Sequence, residues 1–481
     1  MQRLTKQFID NHWVESQGQR RLAVTDPYQQ RQIAEVTVGD PADVDAAVTA
    51  ARRAQPVWQA LGGDGRAPYL EAMATHLEQR REALMRLSST NNGKALAETA
   101  IDLDDAIACY RYYAGQARAL EARQGRPVEH GMEGVTARTY EDPAGVVGLI
   151  TPWNFPLVTS AWKIAPALAA GCTVVFKPSE ITPLPEQALA EIAEAIDLPA
   201  GVLNLVHGDG EGIGAPLTAH PGIDKLSFTG SNAVGEKVMR AAADGVRGVS
   251  LELGGKSPIL VLDDAEVEQA ADWVMAGIYF NSGQICSATS RLLVHHSLAD
   301  ALYDALGRRI DAIRLGDPLS DDTDMGPMTS ARQRQSVEGY LDIAADEGLV
   351  AVRDARHRAL PDQGEFIAPT LYRDVPTDSR LWREEIFGPV LCARSVESEA
   401  EAIELANDSD FGLAATVIAG DTERARRIGR ALRAGSIWIN SEQLVMPEVG
   451  WGGFKHSGIG RELGPWGLAA YLEVKHLIGP A

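Results

Sequence analysis

Cys286 sits in the run Asn281-Ser282-Gly283-Gln284-Ile285-Cys286-Ser287-Ala288-Thr289-Ser290. Small neighbours leave its thiol sterically open, and an open thiol is a candidate nucleophile. Free cysteine more often serves as a small buried hydrophobe, so the rest of the chain has to decide between the two. Two further stretches carry residue types that hold phosphate. Gly210-Glu211-Gly212-Ile213-Gly214-Ala215 satisfies the glycine spacing of a dinucleotide loop, but the acidic residue expected about 20 positions on is missing: residues 229–233 read Thr-Gly-Ser-Asn-Ala. In Ser-Phe-Thr-Gly-Ser-Asn-Ala (227–233), Gly230 and Ser231 lead into a helical pattern whose first N–H groups suit a pyrophosphate. Ordinary strand-to-helix turns also carry glycine, and spacing alone leaves both loops open.

The elements around these residues follow from the hydrophobic pattern. From Pro41 to about Arg123 apolar residues recur three and four apart, as in PADVDAAVTAARRAQPVWQAL, which predicts helices. Short β-type runs then begin: GVVGLI from Gly145, CTVVFKP from Cys172, GVLNLVHG from Gly201 and DKLSFTG from Asp224, alternating with helical stretches such as PEQALAEIAEAI. That alternation predicts a doubly wound parallel sheet, with ligands beyond the carboxyl ends of its strands. The same texture resumes after Leu251 with SPILVLD, EVEQAADWVMAGIYF and RLLVHH, which predicts a second α/β domain with Cys286 near its start. HGMEGVTARTYEDP (130–143) and the terminal YLEVKHLIG read as protruding strands of the kind a neighbouring subunit completes.

A chain of 481 residues exceeds the roughly 250–300 residues at which single cores stop growing, so at least two domains are expected. A formal charge of −21 argues against a nucleic-acid partner, whose phosphates it repels. Cys109, Cys172, Cys286 and Cys392 are widely spaced, with no metal-ligand spacing among them. No disulfide framework or metal is therefore expected. No run approaches the ~18–20 apolar residues of a membrane span, and the first residues lack a signal-peptide core. A cytoplasmic enzyme without a membrane anchor is the expectation.

TPWNFPLVTSAWKIAPALAAGCTVVFKPSEITP, SFTGS, LELGGKSP, NSGQICSATSRLLV, EEIFGPV, NDSDFGLAATV and WGGFKHSGIGRELGPWGL occur in the order and approximate spacing of the NAD(P)-dependent aldehyde dehydrogenases. The chain resembles that family from about residue 8 onward, and GQICSATSRLLVH with GRELGPWGLAAYLEVK is most similar to the betaine-aldehyde and aminoaldehyde dehydrogenases. The resemblance implies an α/β fold: a Rossmann-like cofactor domain over residues 1–120 and 144–252, oligomerisation strands over 121–143 and 467–481, and an α/β catalytic domain over 253–466. A homodimer or homotetramer is implied as well.

The same resemblance makes Cys286 the nucleophile that forms a thiohemiacetal and then a thioester. Asn154, with the backbone N–H of Cys286, becomes the oxyanion donor, and Glu252 the base for hydrolysis. Lys163 and Glu462 form a second pair that relays protons or simply bridges. NAD is the implied cofactor, with NADP the less favoured alternative because a carboxylate at Glu180 repels a 2′-phosphate. Lys177 and Glu180 match the adenine-ribose end, Trp153 and Ser231, with Gly230, the pyrophosphate, and Glu385 and Phe387 the nicotinamide half, while Ser179 and Gly254 are further implied cofactor contacts.

For the substrate, Phe155, Trp162, Phe280 and Trp451 match an aromatic box that lies against an ammonium group. Phe stands at 155 and 280 where those relatives usually carry Tyr and Trp. Glu98, Asp102 and Asp105, spaced i, i+4 and i+7 on one helical face, match acidic positions along the substrate tunnel; charged helix faces are also often merely solvated. No basic residue other than Lys163 falls in the stretches expected to line the tunnel, which disfavours aldehydes carrying carboxylate or phosphate. The expected function is oxidation of betaine aldehyde or ω-aminoaldehydes to carboxylates. The alternatives are broad oxidation of medium-chain or aromatic aldehydes, a cofactor-independent Cys thioester hydrolase or acyltransferase, and a catalytically silent protein on this fold.

Overall fold

The structure, a computed structural model, describes residues 2–481. Five parallel strands form the centre of the first sheet, in the spatial order Gly248–Glu252, Lys225–Thr229, Val146–Ile150, Thr173–Lys177 and Leu203–Leu205. Val146–Ile150 and Thr173–Lys177 are buried at every position, which is why they read as unbroken apolar runs rather than alternating ones. The chain order reverses between Val146–Ile150 and Lys225–Thr229, so the crevice that binds ligands in such sheets opens beyond Ile150, Thr229 and Glu252. Antiparallel strands Lys6–Ile9, His12–Glu15 and Gly458–Ile459 extend the two edges.

Four helices, Pro41–Ala60, Gly62–Gln79, Arg81–Asn92 and Leu96–Glu121, account for the helical pattern of the first part of the chain. Asp40 starts the first through a capping box with Asp43. The helix Val158–Ala170 is buried all round, the condition under which a helix is apolar on every face. Its one charged member is Lys163, so that ammonium must find a partner inside the protein.

The second sheet has six parallel strands, ordered Thr370–Arg373, Val390–Val396, Arg291–His295, Pro258–Val261, Ala414–Ile418 and Ser436–Ile439, with Val350–Arg353 antiparallel at one edge. Cys286 and Phe387 lie shortly before the strands Arg291–His295 and Val390–Val396. The site thus brings the carboxyl ends of the first sheet against the amino ends of the second. Gly255 marks how closely they meet, because a Cβ there would stand 2.3 Å from the Cys286 carbonyl oxygen.

Val135–Pro143 pairs antiparallel with Leu472–Pro480 along its whole length, Leu472 opposite Pro143 and Pro480 opposite Val135. The two protruding strands therefore complete each other within one chain, with Arg126–Pro127 on the far side of Val135–Pro143. The strand starts at Val135, five residues later than the sequence suggests, because Gly131 and Gly134 adopt positive φ and hold that stretch in a loop.

Candidate active site

A cavity of about 740 Å³ lies between the two sheets. Of the residues singled out from the sequence it gathers Trp153, Asn154, Phe155, Trp162, Gly230, Ser231, Glu252, Gly254, Phe280, Cys286, Glu385, Phe387, Trp451, Asp102 and Asp105. Lys163, Lys177, Ser179, Glu180, Glu462 and Glu98 do not line it. Ile101 and Leu444, both more than half exposed, lie at its mouth.

The loop that carries the thiol is built from polar groups with little freedom. Asn281 and Ser282 both hold positive φ, 49° and 54°, a conformation that costs non-glycine residues energy unless the surroundings fix it. The surroundings do so. The buried carboxylate of Glu98 accepts the Asn281 N–H at 2.7 Å, and the Asn281 side chain donates to the Asn154 and Gln284 carbonyls at 3.0 and 3.1 Å. Gln284 returns a bond to the Asn281 carbonyl, and Thr329 N–H reaches the Gln284 amide oxygen. Glu98 is thus placed as a clamp on this loop, and also accepts the Ala95 N–H, rather than on the wall of the cavity. Asn154 donates one amide hydrogen to the Gln284 carbonyl at 3.0 Å, which orients the other.

The loop Thr151–Leu157 is fixed by a second buried carboxylate, Glu186, which accepts the Leu157 N–H and the Thr151 hydroxyl. Sequence reasoning missed Glu186, Asn281 and Gln284. An Asn-Ser-Gly run does signal left-handed backbone, but a carboxylate inside the helix Pro183–Ala195 reads as a solvated position.

Glu252 ends the strand Gly248–Glu252, is buried, and neither carboxyl oxygen has a protein hydrogen-bond partner among the described residues. Burial, then the nearby Glu462 carboxylate, hold it well above the usual carboxylate range, against the pull of Lys163 and Arg461. Its charged form is thus disfavoured relative to that of an exposed carboxylate. Lys163 forms a buried ion pair with Glu462 and donates to Ser227 Oγ at 2.9 Å, which answers the need of a charge inside an apolar helix.

Burial pushes the Cys286 thiol up to about 12, with the Glu252 and Glu385 carboxyls adding to it and the Ser287 and Cys286 N–H groups opposing it. A raised value keeps the proton on sulfur at neutral pH, and the thiolate fraction then grows about tenfold per pH unit. Alkylation of the cofactor-free protein by iodoacetamide is accordingly expected to accelerate from pH 7 to 9 without levelling off. A plateau near pH 7 would show a preformed thiolate instead.

On the first-sheet side, the groups suit a dinucleotide. Ser231 is the N-cap of the helix Asn232–Asp244 and makes no capping bond with its side chain, so its hydroxyl and the first N–H groups of that helix remain available to phosphate. Thr229 Oγ1 is buried without a protein partner among the described residues. At Gly254 a Cβ would come within 2.2 Å of Glu385 Oε2. Trp153 and Phe387 meet edge to face at 5.3 Å and 85°. Beyond the end of Thr173–Lys177, Glu180 stands one-third exposed, 3.3 Å from Lys177 Nζ, a carboxylate poised to accept ribose hydroxyls. The Gly210–Gly214 segment forms a single π-helical turn capped by Asp209 and takes no part in the cavity.

On the other side, the aromatic residues fall into two pairs. Trp162 and Trp451 lie 5.4 Å apart, and Phe155 and Phe280 are nearly parallel at 6.4 Å. The Trp162 indole N–H donates to Asp105 at 3.2 Å. Asp102 is bound to Lys94, not to solvent. Among the described residues every charged side chain on the cavity wall is a carboxylate: Asp102, Asp104, Asp105, Glu252, Glu385 and Glu442, with no Lys, Arg or His. Lys163, the one basic residue expected near the tunnel, is behind the wall.

A crevice at the switch point of a doubly wound sheet, facing a thiol on the rim of a second sheet, defines the class: a dinucleotide-linked enzyme that reacts through sulfur. Residues 13–477 match the aldehyde dehydrogenase family. The chloroplastic betaine aldehyde dehydrogenase of Beta vulgaris is 43% identical over 475 residues, 98% of this chain and 95% of that protein. A chloroplastic aminoaldehyde dehydrogenase of Arabidopsis thaliana is 45% identical over the same shares. The crystal structure of Staphylococcus aureus betaine aldehyde dehydrogenase with NAD+ is 40% identical, with a TM-score of 0.95 over 99% of this chain and 95% of that one. The chain belongs to the aldehyde dehydrogenase family, and its activity is the NAD(P)-dependent oxidation of an aldehyde. The cofactor-free hydrolase and the silent scaffold give way to that membership. Among the described residues no helix is long and apolar enough to cross a membrane, and no group of His, Cys, Asp and Glu is placed to hold a metal ion.

Proposed function

We propose that the protein oxidises aldehydes bearing a positive charge at the far end, betaine aldehyde or ω-aminoaldehydes, to their carboxylates with NAD. The observation that carries this reading is the cavity wall, whose charged side chains are all carboxylates and which Phe155, Trp162, Phe280 and Trp451 also line. Such a wall attracts ammonium groups and repels carboxylates and phosphates. The names of the relatives, betaine aldehyde and aminoaldehyde dehydrogenases, support it.

In this reading the Cys286 thiol gives up its proton to water as its sulfur adds to the aldehyde carbon, and the oxygen that gains charge takes hydrogen bonds from the second amide hydrogen of Asn154 and from the Cys286 N–H. NAD, when bound through Glu180, Lys177, Ser179, Ser231, Gly230, Trp153, Gly254, Glu385 and Phe387, supplies the hydride acceptor that turns the adduct into a thioester. Glu252 then takes a proton from the water that cleaves the thioester, a task for which a raised carboxyl is suited. The Lys163–Glu462 pair passes that proton on. Four unpaired cysteines suit a reducing compartment such as the cytoplasm, and the sheet of Val135–Pro143 and Leu472–Pro480, with Val474 and Ile478 exposed, is the surface through which a homodimer or homotetramer forms.

The test is NAD reduction with betaine aldehyde, 3-aminopropanal, octanal and benzaldehyde in parallel. The cationic pair is expected to have the larger kcat/KM, with the preference falling as salt is added. Octanal or benzaldehyde ahead by tenfold or more would make the cavity an apolar funnel.

A pH effect follows from the same wall. Burial pushes Asp105 up to about 7, opposed by the Trp162 N–H and assisted by Asp102. Below that value Asp105 is protonated and its attraction is lost; above it the charge is present. KM for betaine aldehyde, whose charge does not titrate, is expected to rise roughly tenfold as pH falls from 8 to 6, and KM for octanal to stay level. In D105N the two aldehydes are expected to behave alike.

A further inference from the structure

Lys94 lies in the short connection between the helices Arg81–Asn92 and Leu96–Glu121, and its side chain is completely buried. Its Nζ is 2.5 Å from Asp102 Oδ2, 3.7 Å from the centre of the Phe155 ring and 5.8 Å from that of Phe280. Phe155, Phe280 and Asp102 all line the cavity, and Lys94 does not. One face of the Phe155 ring, the part of an aromatic side chain that attracts cations, is thus already taken by a cation of the protein itself. The same ammonium balances the charge of Asp102. Asp105, by contrast, has a neutral partner in the Trp162 indole, and among the described residues its charge when ionised has no counterion at hydrogen-bonding distance.

We propose that Lys94 is a specificity-determining residue that limits the cavity to aldehydes with a single positive charge. This rests on the cationic-substrate reading above. The lone ammonium of the substrate lies against Trp162 and Trp451 beside Asp105. A second ammonium on the Phe155–Phe280 side meets the field of Lys94 through the ring and finds Asp102 already paired. Aldehydes carrying two ammonium groups, such as those formed when a longer polyamine is cleaved by oxidation, are turned away on charge and not on size.

The experiment compares 4-aminobutanal with N-(3-aminopropyl)-4-aminobutanal, with butanal as the uncharged reference. In K94M, and in K94M/D102N, which removes Asp102 together with the ammonium paired to it, the ratio of kcat/KM for the doubly charged over the singly charged aldehyde is expected to rise at least about fivefold. A ratio within twofold of the natural protein in a folded variant overturns the proposal. If the natural protein does not prefer 4-aminobutanal to butanal, the reading on which the proposal rests has failed, and both fall together. A measurement on the natural protein decides the matter even if neither variant folds. Propylammonium is expected to compete with 4-aminobutanal at least about fivefold more tightly than propane-1,3-diammonium, and equal or reversed inhibition overturns the proposal.

Discussion

Cys286→Ala is expected to remove aldehyde oxidation altogether, with kcat/KM falling by more than about 10⁴-fold and no burst of reduced cofactor in the first turnover. The side chain faces an open cavity, and its loop is held by Glu98, Asn281 and Gln284 through bonds that do not involve sulfur. The loss should therefore leave folding and cofactor binding intact. Thermal melting and the quenching of tryptophan fluorescence by NAD check those two points, and stopped-flow absorbance checks the burst. Burst-phase reduction persisting in C286A would mean that the hydride leaves the aldehyde without a covalent bond to this sulfur.

Glu252→Gln is expected to separate the two halves of the reaction. Glutamine keeps the size of the side chain and removes the base, so the thioester should still form while its hydrolysis slows by about 10²–10⁴-fold. The signature is one equivalent of reduced cofactor per site, released rapidly, followed by a slow steady state and an acyl group on Cys286 visible by mass spectrometry. The pH dependence has a definite sign. A carboxyl raised by burial and by Glu462 is protonated at low pH and becomes a base as pH rises, so hydrolysis in the natural protein climbs with pH toward that raised value. In E252Q the climbing limb should vanish. A slow first turnover would instead place Glu252 in the deprotonation of the thiol.

Much of this was legible in the sequence where one residue type admits one environment. Unbroken apolar runs such as Val146–Ile150 read as central strands because both faces are covered, and the Cys286 thiol read as open because the residues that follow it, Ser287 and Ala288, are small. What the sequence hid was depth. Glu98, Asp102 and Asp105 do share one helical face, yet the first clamps the Asn281 backbone, the second neutralises Lys94, and the third alone faces the cavity with a neutral partner. Spacing fixes direction around a helix and says nothing of how far each turn is covered by other segments. Lys94 was missed for the same reason: lysine is rarely buried fully unless paired, and its partner is eight positions away on the next helix.

The ladder between Val135–Pro143 and Leu472–Pro480 bears on how the protein is made. Lys475 and Asp142, which form an ion pair across it, are 333 positions apart. A ribosome adding about 5–20 residues per second exposes Val135–Pro143 many seconds before its partner exists. Throughout that time the nascent chain carries an unpaired edge strand able to join with another copy. Neighbouring nascent chains on one message present that same open edge to each other before either strand has its own partner.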